Sequence, residues 1–171
     1  MIKSTFFGAE NAIEFLRTKN LESEVRQFVN ADQITLPSAF NELKLDSDKD
    51  LSSLPKEVKP EVDEMKAYMA AYTMEAYRED VFKMLAISIR RMYMQYSEIS
   101  STAGEGFLMM LKGNGRIPFL GKLLREAAAD LRKEKMNAGR DYCKRESEKR
   151  RRAEKEKNMG CVCIHIIIVE L

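Results

Sequence analysis

Apolar residues recur at three- and four-residue intervals through most of this chain, the period of helices that bury one face. From Ala9 to Thr18 the apolar positions are Ala12, Ile13 and Leu16. From Leu21 to Asn30 they are Leu21, Val25, Phe28 and Val29, with Asn20 placed to cap the helix. A short helix is expected from Pro37 or Ser38, using Phe40 and Leu43. The stretch Asp46 to Lys59, rich in Asp and Ser and broken by Pro55, reads as a loop.

Pro60 suits the first turn of the next helix. Val62, Met65, Met69, Tyr72 and Ala76 form one apolar stripe, and Val81, Leu85, Ile89, Met92, Tyr96 and Ile99 form another. At about 100° per residue the two stripes fall on opposite sides of one continuous helix. The pattern therefore predicts either a break near Tyr77 to Asp80 or two halves buried against different neighbours. The second half carries apolar residues nearly all round, as a central helix does.

Thr102 and Glu105 have capping-box spacing and open a short helix, Gly104 to Lys112, which Gly113 ends. The last helix is expected from Pro118, with Leu120, Leu124, Ala127, Leu131, Ala138 and Tyr142 on its buried stripe. Past Tyr142 that stripe stops. The pattern predicts an all-α protein: a compact helical bundle over 1–142, a charged helical extension over 143–158, and a short extended apolar tail over 159–171. The tail is given to a strand because it is rich in β-branched residues after Gly160.

Charge sharpens the picture at one place. The 171-residue chain has a net charge of only +2, yet Lys144 to Lys157 holds eight Lys or Arg against four Glu. Pairs four apart, Glu146–Arg150, Glu148–Arg152 and Arg152–Glu156, are positioned to support an exposed helix. The block Lys149, Arg150, Arg151 and Arg152 is the candidate contact for an anionic surface. Cys161 and Cys163 follow it among apolar residues, the setting in which reversible acylation adds a membrane signal. Nucleic acid is the alternative anionic partner, with Arg90, Arg91, Arg116 and Arg140 as further contacts. The many methionines on helical stripes suit either an adaptable core or a surface for a protein partner or self-association.

Other constellations are weaker. Asp46, Asp48, Asp50 and Glu57 match acidic positions of a calcium loop, but Leu51 stands where the turn needs glycine. Gly113-Asn114-Gly115 lacks the preceding strand and the lysine of a phosphate loop. Cys161, Cys163 and His165, the single histidine, are zinc ligands in type. On a strand they lie too far apart to share one ion. No catalytic arrangement, cofactor or small-molecule substrate is indicated. The odd cysteine number suggests a reducing, cytoplasmic setting, with peripheral contact to a membrane. No apolar stretch reaches the ~20 residues of a transmembrane helix.

Overall fold

A computed structural model describes residues 8–113 and 116–169, with side chains over 8–113 and 118–159. The chain is all-α. In order come α1 (Ala9–Thr18), α2 (Glu22–Ala31), α3 (Thr35–Ser52), a 3-10 turn (Lys56–Val58), α4 (Lys59–Ala71), α5 (Met74–Ile99), α6 (Ser101–Lys112) and α7 (Arg116–Val169). Two compact units divide these elements: 1–45 with 72–135, and 46–71 with 136–171.

In the first unit α5 is the central helix, packed against α1, α2 and α6. Tyr77, Val81, Phe82, Leu85, Ala86 and Ile89 are buried on it. Farther along, the same helix emerges: Met94 and Ile99 are exposed. The break before α5 comes at Tyr72–Thr73, earlier than the stripes suggest, because the Thr73 hydroxyl accepts from Ala76 N (3.1 Å) and caps the new helix. Ser100, not Thr102, caps α6 by accepting from Ala103 N (3.0 Å). Glu105 is thereby free to bind Lys19 (3.0 Å) and Tyr93 (3.2 Å). Asn20 does not cap α2. It adopts a left-handed φ of 54° and closes the end of α1, where Leu21 N donates to Leu16 O (2.8 Å).

The expected loop at Asp46 is instead the second half of α3. Asp32 supplies the missing start signal, accepting from Thr35 N (3.1 Å) and Leu36 N (2.6 Å). Leu36, Leu43, Ser47 and Leu51 then hold the buried face of α3. The acidic residues between them are its wet side.

The second unit is small. Its core is Leu51, Val58, Val62 and Cys143, with Leu54, Met65 and Tyr142 packed around it. The α7 face that closes this core is made of small residues: Gly139, Cys143 and Ser147 are all buried at four-residue spacing. An added Cβ at Gly139 would meet Met65 Cγ at 3.4 Å and Leu51 Cδ2 at 3.5 Å, which shows how closely the helices approach. Packing therefore continues past Tyr142 for one more turn. Tyr142 Oη donates to Glu64 (2.7 Å), and Arg140 pairs with Asp50 (2.6 Å).

The tail is not extended. The α7 backbone runs through Gly160 and stays helical to Val169. A lone strand leaves its backbone donors and acceptors unpaired, whereas propagating an existing helix satisfies one more pair per residue. The weaker helix preference of β-branched residues, a fraction of ~1 kcal/mol each, does not outweigh that gain.

Candidate anionic-surface site

The site is built on α7. From Glu148 to Met159 every residue is exposed, so this stretch of helix is held by its own backbone and by the packed turns before it. The four residues of the basic block are adjacent in sequence but not in space. Consecutive helical residues point about 100° apart, so Lys149 to Arg152 spread around most of the circumference. The helix does not bring them together as one patch.

Arg150 lies on the side that continues the buried Cys143 and Ser147. Its Nε comes within 2.8 Å of Glu61 Oε1. Glu61, in the first turn of α4, is 1% exposed, while the Arg150 side chain is 61% exposed. The approach lies off the line that a hydrogen bond needs, so neither Glu61 oxygen has an aligned donor among the described residues. Arg150 is thus the counter-charge of a buried carboxylate, reinforced by the positive end of α4. Removing one partner of a fully buried pair costs ~3–5 kcal/mol, against ~1 kcal/mol for one basic residue near an anionic membrane. Even discounted for the exposure of Arg150, Glu61 holds it better than a lipid headgroup does.

Lys149 is also engaged, pairing with Glu146 at 2.5 Å. The anticipated pairs Glu146–Arg150, Glu148–Arg152 and Arg152–Glu156 are not made. Arg151 and Arg152 are exposed and in no ion pair among the described residues. The side chains of Cys161, Cys163 and His165 lie outside the described residues, as does that of Arg116. Cys143 is a free thiol, fully buried. Burial, and then the charge of Glu61, push its pKa up, away from the reactive thiolate.

Several other polar side chains are paired within the chain. Asp46, Asp48 and Asp50 stand at every second position of α3, which sets Asp48 on the opposite side from the other two, and Arg140 pairs with Asp50. A groove of about 660 Å³ in the first unit is lined by Arg26, Arg78, Glu75, Glu79 and Phe82, among others. Arg26 binds Glu79 (2.9 Å) and lies 3.9 Å from the centre of the Phe82 ring. Arg78 donates to the carbonyls of Val29 and Asp32. Lys44, its pKa lowered by burial, donates to the Tyr72 carbonyl at 2.7 Å. Asp80 pairs with Lys135 (3.3 Å) and accepts from Tyr72 Oη. Periodicity gave no hint of this half-buried polar cluster, because its members come from helices far apart in sequence. Arg90 and Arg91 line a cavity of about 330 Å³ with Gly8, Ala12 and Met94.

Among the described residues, no group of three His, Cys, Asp or Glu is placed to hold a metal ion, and no helix is long and apolar enough to cross a membrane. Comparison with known proteins finds no family model that matches the chain, no similar curated protein and no matching solved structure.

Proposed function

We propose that this chain is a non-enzymatic helical interaction module whose C-terminal helix contacts an anionic membrane surface. The observation that carries the reading is the continuity of α7. Its exposed basic stretch and the apolar sequence Cys161 to Val169 share one unbroken helix. At about 1.5 Å per residue those last residues add roughly 14 Å, about half of a hydrocarbon core. Such a segment is too short to span and suits seating in the interface of one leaflet, with the helix axis along the surface and the basic turns among the headgroups. Acylation of Cys161 and Cys163 would strengthen a contact that one weak signal alone holds only transiently. The helical body provides the surface for a protein partner or for self-association.

The nucleic-acid reading draws on the same cations, but it has less in its favour. Arg140 is tied to Asp50, and no aromatic side chain interleaves the basic run for base stacking. The test is co-sedimentation of the purified chain with phosphatidylcholine vesicles, with and without phosphatidylserine, beside retention on single-stranded RNA at the same salt. Binding that needs phosphatidylserine and falls with salt supports the membrane. RNA retention without vesicle binding transfers the cations to the nucleic-acid reading.

A further inference from the structure

The charges of α7 are sorted around its axis in a way that the linear sequence hides. With Lys144 set at 0°, a turn of about 100° per residue places Arg151 near −20°, Lys155 near 20°, Glu148 near 40°, Arg152 near 80° and Arg145 near 100°. Five cations thus share an arc of about 120° with Glu148; Asp141, near 60° and one turn before Lys144, also faces it, and Glu156 borders it. All five are exposed, and none is in an ion pair among the described residues. Among the described residues, the only bond made from a charged group of this set is to backbone: Arg145 Nε donates to Asp141 O (3.2 Å). The other cations of the run face elsewhere. Lys149 is near 140° and bound to Glu146, Arg150 is near 240° and bound to Glu61, and Lys157 is near 220°. Glu146 and Glu154 lie outside the arc as well.

We propose that the anion-binding surface of this protein is the ridge Lys144, Arg145, Arg151, Arg152 and Lys155, and that its occupant is an anionic lipid bilayer. This deepens the membrane reading and rests on it. A flat surface of negative headgroups can meet the whole length of one helix face at once. The continuation of the same helix into apolar sequence places hydrocarbon-seeking residues directly beyond the ridge. Only two of the four residues in the sequence block belong to the ridge. Lys144, Arg145 and Lys155 replace the other two and add one more. Distance separates the faces electrostatically. A helix with its side chains is about 10–12 Å across, while charges are screened within about 8 Å at physiological salt. Cations on the far side contribute little.

The test compares two exposed variants of the full chain on vesicles containing phosphatidylserine, with helicity checked by circular dichroism. Lys144→Gln with Arg145→Gln and Lys155→Gln removes three ridge charges and leaves the sequence block intact. At about five-fold per charge, it weakens binding about 100-fold. Lys149→Gln with Lys157→Gln removes two charges off the ridge and changes binding by about two-fold or less. Lys144→Arg with Lys155→Arg keeps the charge and retains binding. Equal loss per charge on and off the ridge overturns the assignment while leaving membrane contact standing. Failure of the unaltered chain to bind these vesicles removes the membrane reading and the ridge with it.

Discussion

Arg150→Ala should open the second unit far more often than the loss of an exposed arginine would suggest. Glu61 is 1% exposed and, among the described residues, its only counter-charge within reach is Arg150, at 2.8 Å. Removing the guanidinium strands a charge in the core that α4 and α7 share. A fully buried pair would lose ~3–5 kcal/mol on this change. Arg150 is 61% exposed, so water follows at the open side and about 2–3 kcal/mol is the better figure. Cys143, 0% exposed in the same core, reports the opening. With Cys161→Ser and Cys163→Ser as background, Cys143 is the sole thiol, and its modification rate measures how often the unit opens. The expected acceleration in Arg150→Ala is about 30- to 150-fold, at tenfold per ~1.4 kcal/mol. Replacing both partners, Glu61→Leu with Arg150→Leu, should restore most of the protection, because no charge then remains to be stranded. A change below about three-fold in Arg150→Ala would show a surface ion pair of negligible weight and refute the burial argument.

Gly104→Ala places a Cβ against Ser97 Oγ and 3.2 Å from a Tyr93 ring carbon, so denaturant unfolding should show a loss of about 1–2 kcal/mol. Adding Ser97→Ala should recover part of it, since the Ser97 hydroxyl is buried without a partner among the described residues; no recovery would place the strain elsewhere. Asp32→Ala removes the oxygens that hold Thr35 N and Leu36 N and should cost about 1 kcal/mol in the same assay. Unchanged stability would mean that α3 starts without this cap. Burial pushes the Tyr77 phenol up to about 12, from about 10 when unfolded. The neutral folded phenol is favoured, so this contribution is whole below pH ~10 and is lost as pH rises toward ~12, by roughly 2–3 kcal/mol. Tyr77→Phe should remove that alkaline loss while costing little at pH 7, because the hydroxyl has no partner among the described residues; an identical alkaline slope in both proteins would contradict it.

The class of the fold was legible because periodicity reports burial directly. Leu16, Val25, Val81, Leu85, Ile89, Leu124 and Leu131 are all buried where the stripes put them. Capping was less legible, since several Ser, Thr and Asp compete at each boundary and tertiary packing chooses among them. Asp32 stands apart from any apolar stripe, so the start of α3, and with it the length of the helix, has no clear local signal. The expected loop failed because a run of Asp and Ser is compatible with the wet face of a helix as well as with a turn, and only the spacing of Leu43, Ser47 and Leu51 decides. The basic block was found as a sequence cluster, but sequence adjacency is not helical adjacency. Which of its residues share a face follows from the helix itself, whereas the Glu61–Arg150 pair depends on two residues 89 positions apart and left no local signal.

The proposed membrane contact rests on the last turns of α7. Fractionating cells that express the full chain beside a version ending at Asn158 tests it most directly. The full chain is expected in the membrane fraction, releasable in part by salt, and the shortened chain in the soluble fraction. Finding both versions in the soluble fraction would contradict it.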